Sequence, residues 1–555
     1  MMHWSDHLII VPVVLPLITG ALLVLVDEQR RRLKFGISLA ATFAMLAVAL
    51  ALAGLAHGRY EGWTGSVGVY LAANWPVPFG IALAADRLSA LMVVLVAILG
   101  LGGLMFAQAR WARSGVHFHA LLQFMLMGLN GAFLTADLFN LFVFFEVMLA
   151  ASYGLALHGS GPRRVAASLH YIAVNLVASS LFLIGVSMIY GIAGTLNMAD
   201  LARLVPELVR DDRMLLEAAA AVLAIAFLVK AAMWPLAFWL PAAYSAASPP
   251  AAAVFALTTK VGVYAIMRLW LLVFAGGAGG STGFGRDWLL YGGMATIVFA
   301  AIGMLAAQDL RRLAGYSVIM SSGTMLAAIA FDDPEVLAGA LFYLVSATLA
   351  ASALFLLIEL IERSRSFGSG VLAVTLEAFE AQGVLHADAG KASDDQQDAG
   401  VIIPAAMAFL GLSFVGCALL MAGLPPLSGF IGKFALLAAV LGTGSPHASA
   451  VAAVQPEAWA MLGLVVASGL AAAVATMRIG IRVFWVQLRS APPRLRLIEA
   501  TPVAAMLLLC VVLTVQAGPV MRYLDAAAVA LHGGAEYRDG IIAAPRVPSP
   551  AEAQR

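Results

Sequence analysis

Apolar residues run along this chain in long unbroken stretches separated by short polar connections. A membrane-spanning helix needs about 20 apolar residues, and on that scale the chain holds about fourteen spans. They fall at 8–26, 33–56, 88–109, 116–136, 138–158, 165–193, 215–240, 249–275, 288–307, 316–331, 335–361, 401–441, 457–486 and 500–518. The runs are too continuous for the short alternating strands of a membrane barrel. The pattern therefore predicts an all-α polytopic membrane protein without strands.

Two spans are interrupted. The seventh carries Pro235 and Pro241 in MWPLAFWLP. The twelfth carries Pro425 and Pro426 in GLPPLSG and is long enough for two half-helices. Broken helices at matching places in two halves are a sequence pointer to a transport site. Spans four to eight and nine to thirteen each number five. An odd number makes the second set inverted and pairs span seven with span twelve. This divides the chain into three leading helices (1–110), a first repeat (111–275), a second repeat (276–490) and a final helix with a tail (491–555).

Charge placement gives orientation, because Lys and Arg concentrate in cytoplasmic loops. With the N-terminus outside, inner loops carry Arg30, Arg31, Arg32, Lys34, Arg110, Arg113, Arg163, Arg164, Arg311, Arg312, Arg363, Arg365, Arg489, Arg494 and Arg496. Both termini then lie on the periplasmic side of a bacterial inner membrane. Residues 200–213 mix basic and acidic positions and read as a short amphipathic piece on the outer surface. Residues 363–400 read as a mobile cytoplasmic loop, and 533–555 as an unstructured tail.

Composition narrows the function. Only 11% of residues are charged and 62% are hydrophobic. A net charge of +1 gives no electrostatic footprint for nucleic acid. Cys417 and Cys510 lie in apolar runs without metal-ligand neighbours, so neither a metal site nor a cofactor is expected. No phosphate-binding glycine loop occurs, so the energy must come from an ion gradient or a partner's redox reaction.

The lysines carry the sharpest signal. The chain has five lysines among 32 basic residues, and Lys230, Lys260 and Lys433 lie inside apolar spans. A cation at mid-bilayer costs about 2.5–3.5 kcal/mol on insertion scales. Lysine can shed its proton when desolvated, whereas arginine effectively cannot. Snorkelling to the interface is the alternative, better suited to Lys433 beside the helix break than to Lys230 or Lys260. Glu146, in the fifth span, is the acidic counterpart and the expected ion-pair partner of Lys230. Moving the glutamate away would loosen the lysine's hold on its proton, and a static structural pair is the bland alternative. His170, Thr258, Thr259, Ser346 and Thr348 are candidate relay positions, although a histidine satisfied between helices, or hydroxyls bonded to their own helix, would look the same. Asp137 reads as an N-cap, and Arg268 as an interfacial residue.

The segments DLFNLFVFFEVMLAASYGL, FLVKAAMWPLAFWLPAAYSAASPPAAAVFALTTKVGVYAIMRLW, DLRRLAGYSVIMSSGTM and GLPPLSGFIGKF resemble the antiporter-like subunits shared by Mrp-type cation/proton antiporters and respiratory complex I. Within that group the sequence is most similar to the D-type (PhaD-like) subunit of the Mrp antiporters. The resemblance implies fourteen helices with two inverted five-helix repeats and broken helices seven and twelve. It assigns proton translocation to Glu146, Lys230, Lys260 and Lys433, with Lys260 linking two half-channels and Lys433 serving the second. It implies exchange of H+ for Na+, or for K+ or Li+, inside a hetero-oligomer of Mrp subunits embedded in the lipid bilayer. A proton-pumping membrane subunit of NADH:quinone oxidoreductase or of a membrane-bound hydrogenase is the alternative. Ser346 departs from the pattern, since many relatives carry histidine there.

Overall fold

The computed structural model describes residues 4–58, 63, 65–381, 405–442, 455–484 and 495–544, with side chains described outside 364–381. The chain opens with α1 (Trp4–His7), α2 (Val11–Leu25) and α3 (Arg31–Gly58). A short antiparallel hairpin follows, β1 (Gly68–Leu71) paired with β2 (Ala82–Ala85). Next come α4 (Arg87–Ala109), α5 (Phe118–Leu134), α6 (Leu138–Leu157), α7 (Pro162–Ala193) and α8 (Met198–Leu204). The seventh span is divided into α9 (Arg210–Lys230) and α10 (Leu240–Ala246), followed by α11 (Pro249–Val273). The second set comprises α12 (Arg286–Ala306), α13 (Leu310–Ala330), α14 (Pro334–Ala381), the divided pair α15 (Ala405–Ala422) and α16 (Ser428–Val440), and α17 (Pro456–Phe484). The chain closes with α18 (Leu497–Val515), α19 (Ala517–Gly533) and α20 (Ala535–Ile542).

Eleven described helices are long and apolar enough to cross a membrane, and α2, α5 and α16 are shorter apolar helices. With α9, whose first turn is charged, and with α15 and α16 taken as one broken span, they make up the fourteen expected crossings. The two five-span sets pack alike. The α5–α6 contact matches α12–α13, α7–α9 matches α14–α15, and α9–α11 matches α15–α17. Helix α11 is buried along its whole membrane length, and α13 and the first part of α14 nearly so.

Close backbone approach holds the broken spans in place. A Cβ added at Gly262 of α11 would lie 2.6 Å from the Ala231 nitrogen, just past α9. One added at Gly432 of α16 would lie 2.8 Å from the Tyr343 Cα on α14. Only glycine fits at either contact, and such small residues let membrane helices pack at this distance.

Several features depart from the sequence reading. The hairpin is one, because two four-residue strands in a connecting segment leave no long-range pattern. The 200–213 segment is not purely superficial: residues 198–202 of α8 are buried, and the remainder runs into α9. The backbone of α14 stays helical to Ala381, so the expected 363–400 loop begins as helix. Its continuation lies outside the described residues. The tail carries α20, which packs on α8 and β1, while 545–555 lie outside the described residues. Tyr537 of α20 sits 4.4 Å over the Arg268 guanidinium.

Arg268 itself is not interfacial. It is buried and donates to both carboxylate oxygens of Asp86, at 2.7 and 2.8 Å. That bidentate geometry supplies the partner a buried guanidinium requires. The opposite end of the bundle carries the arginine-rich turns. There Arg363 pairs with Glu499 at 2.6 Å, and Arg311 with Glu359 and Glu362 at 3.1 and 2.7 Å.

Candidate functional site

Each helix break leaves backbone groups unpaired, and in a bilayer these need partners within the protein. After Lys230 the chain turns through Ala232, at φ 56°, and reaches Pro235, whose ring cannot continue a helix. Trp234 N donates to Thr296 Oγ1 at 2.9 Å, and Trp239 Nε1 donates at 3.2 Å to the Val229 carbonyl, which also accepts from Ala232 N. At the second break, Pro425 and Pro426 separate α15 from α16. The Lys433 ammonium donates to the Met421 and Ala422 carbonyls, at 3.1 and 3.0 Å. These carbonyls end α15, where the helix dipole favours a cation. The Tyr343 ring lies 5.9 Å from the same ammonium.

Lys230 ends α9 and is 5% exposed. Its Nζ donates to Asn175 Oδ1 of α7 at 2.7 Å. The expected Glu146–Lys230 ion pair is therefore not formed in this state. Glu146 acts on Lys230 electrostatically, yet its Oε1 is buried with no hydrogen-bond partner. The amide has taken the place assigned to the carboxylate.

Lys260 stands midway along α11, 1% exposed, and donates to Ser321 and Ser322 of α13. Its helix touches the first break, since a Cβ at Gly262 would lie 2.9 Å from the Lys230 Cβ. Lys260 thus belongs to a helix packed on the first break and is bonded to a helix of the second repeat. Lys34 provides a contrast near the start of α3, where it pairs with Glu28 at 2.6 Å. Among the described residues, none of the three span lysines has a carboxylate within ion-pair distance.

The other candidates separate. Ser346 of α14 lies 2.8 Å from Ser428, the first residue of α16, which links it to the second broken span. Thr348 donates to Leu344 O and Thr259 to Ala256 O, each within its own helix. Thr258 Oγ1 lies 2.7 Å from the Tyr244 hydroxyl, and both contact the Phe255 carbonyl. His170 is exposed on the outer side of α7, with its ring 5.6 Å from that of Phe238. It does not face the lysines, because the buried stripe of α7 runs through Ser168, Tyr171 and Asn175. Asp137 caps α6, accepting from Asn140 N at 2.8 Å.

Sequence reasoning missed Asn175 and Tyr171. The Tyr171 hydroxyl lies 2.8 Å from Ser152 of α6, the helix that carries Glu146. One amide in an apolar span raises no alarm, whereas its four-residue spacing from Tyr171 on a single helix face was available to be read.

Comparison with known proteins agrees with this architecture. The family described as "NADH:quinone oxidoreductase/Mrp antiporter, TM" matches residues 135–455. The chain is 54% identical over 549 residues to the D-type subunit of a probable K(+)/H(+) antiporter of Rhizobium meliloti (strain 1021), covering 99% of this chain and 100% of the relative. It is 32% identical to the D-type subunit of the Na(+)/H(+) antiporter of Bacillus subtilis (strain 168), covering 97% and 99%. A chain of the Mrp complex from Dietzia sp. DQ12-45-1b superposes with a TM-score of 0.79 at 26% identity, covering 98% and 100%. A chain of respiratory complex I from Thermus thermophilus shares the fold, with a TM-score of 0.71 at 22% identity and coverage of 95% and 99%. A family match across more than half the chain, joined to relatives aligned along nearly its whole length, places this protein in the NADH:quinone oxidoreductase/Mrp antiporter transmembrane family, among its D-type Mrp members.

Proposed function

We propose that the chain is the proton-translocating subunit of a multisubunit monovalent cation/H+ antiporter. It is a transporter subunit rather than an enzyme, and it works beside other Mrp subunits in a membrane complex. One observation carries the reading: Lys230, Lys260 and Lys433 are buried in the bundle and bonded only to an amide, two hydroxyls and two backbone carbonyls. Neutral partners solvate an ammonium without fixing its charge, so each site can lose its proton and regain it. A structural anchor would instead have a carboxylate, as Arg268 and Lys34 do.

In this reading a proton reaches Lys230 near Glu146, passes to Lys260 across the contact at Gly262, and continues through the Ser321–Ser322 side of α13 toward Lys433. Ser346 and Ser428 lie beside that last stage. The name of the 54% identical relative makes K+ the first cation to try, with Na+ and Li+ as competitors. The hairpin end faces the periplasm, and the arginine-rich turns face the cytoplasm.

The reading is tested with the whole complex in everted membrane vesicles. Addition of K+ or Na+ should dissipate a respiration-generated pH gradient, and Lys230→Ala should remove the response while the complex remains assembled. A response of wild-type size in that variant would defeat the proposal. Reporter fusions after residue 380 and near residue 540 should report opposite compartments; a shared compartment would overturn the orientation.

A further inference from the structure

Lys230 has two claimants in the structure, and only one of them holds it. Its ammonium donates to Asn175 Oδ1, while Glu146 Oε1 lies buried and unpartnered. Buried polar atoms rarely go without a hydrogen bond, so an orphaned carboxylate oxygen calls for a specific reason. The amide is held in one orientation. Asn175 Nδ2 donates to the Tyr171 carbonyl at 2.7 Å, which leaves Oδ1 as the atom turned to the lysine. Tyr171 is in turn tied to α6, because Ser152 donates to Leu149 O and its oxygen accepts from the Tyr171 hydroxyl. The acceptor on α7 and the carboxylate on α6 are therefore parts of one connected unit around the end of α9.

We propose that Asn175 is a positioning residue that receives the Lys230 ammonium when it leaves Glu146, so that the lysine alternates between a carboxylate and an amide. This rests on Lys230 carrying the proton. The carboxylate favours the charged lysine, and the amide solvates it without adding a negative charge. On Glu146 the lysine is loaded; on Asn175 it is ready to pass its proton along α11. The titratable groups around this unit are Glu146 and Tyr153 of α6, Tyr171 of α7 and Tyr244 of α10, while the Lys260 ammonium of α11 is turned to Ser321 and Ser322 of α13. Glu146 brings charge to it. Once Glu146 is left behind, burial without a compensating charge favours release from Lys230.

The test is the pH profile of antiport by the whole complex in everted vesicles, for Asn175→Leu, Asn175→Gln and Asn175→Asp beside Lys230→Ala. Loss of the acceptor leaves the withdrawn lysine with a weaker hold on its proton. Averaged over its two positions the lysine is then charged less of the time at a given pH, so Asn175→Leu should shift the profile toward acid by about one pH unit. Asn175→Gln keeps the carbonyl and should restore most of that shift. Asn175→Asp adds a charge that traps the loaded lysine and should shift the profile toward alkali with a lower maximal rate. This nearly isosteric change carries the test if Asn175→Leu fails to assemble. Wild-type profiles in Asn175→Leu and Asn175→Asp, with Lys230→Ala inactive, would overturn the role of Asn175 while sparing the proton carrier. Wild-type activity in Lys230→Ala would overturn both.

Discussion

The two broken spans solve the same problem with different chemistry. In the first, a tryptophan indole adds a second donor to the last carbonyls of α9, and the lysine turns to a side-chain amide in the field of a glutamate. In the second, the lysine itself fills the freed carbonyls at the end of α15. The helix that matches α6 in the second set is α13, and Leu310–Ala330 contains no acidic residue. The first lysine therefore has a glutamate on a packed neighbouring helix, whereas the second has the partial charge of a helix terminus. In the proposed relay the first site can be driven by its glutamate, and the second accepts what reaches it.

That contrast sets an order of effects on antiport in everted vesicles. The largest belongs to the first half. Glu146→Gln should lower the rate by about two orders of magnitude, the scale of losing a positioned acid–base group. Glu146→Asp should keep part of it, because the charge survives with a shorter reach. Equal damage from both would make side-chain length, rather than charge, the decisive property. A smaller effect follows in the second half. Lys433→Ala should slow transport by about tenfold, on the scale of one lost charge-assisted hydrogen-bonded site, with the complex still assembled. A loss as deep as that of Glu146→Gln would erase the distinction between the halves. The smallest belongs to His170→Ala, which should leave transport unchanged because the ring stands outside the buried stripe of α7. A clear loss there would return the histidine to the relay.

Much of this arrangement was legible in the sequence because the bilayer imposes simple rules. Continuous apolar runs marked the spans, and prolines at 235, 425 and 426 marked the breaks, since both signals are local. Lys230, Lys260 and Lys433 stood out because a cation in an apolar run is rare and costly. What could not be read depends on contacts distant in sequence. Arg268 looks interfacial until Asp86, 182 residues away, folds against it. The α20 helix gains its anchor only when Tyr537 meets that same guanidinium. Glu146 and Lys230 were joined as the obvious opposite charges; Asn175 displaced the glutamate because helix α7 presents an acceptor where packing, not charge, brings the ammonium.

The central claim is that Lys230 holds a proton that must leave, and Lys230→Arg tests it most directly. Arginine keeps a positive charge and hydrogen-bond donors but cannot release its proton. With expression and assembly matched to wild type, antiport in everted vesicles should fall as far in Lys230→Arg as in Lys230→Ala. Near-normal transport in Lys230→Arg would show that the position needs only a cation, and would contradict the account.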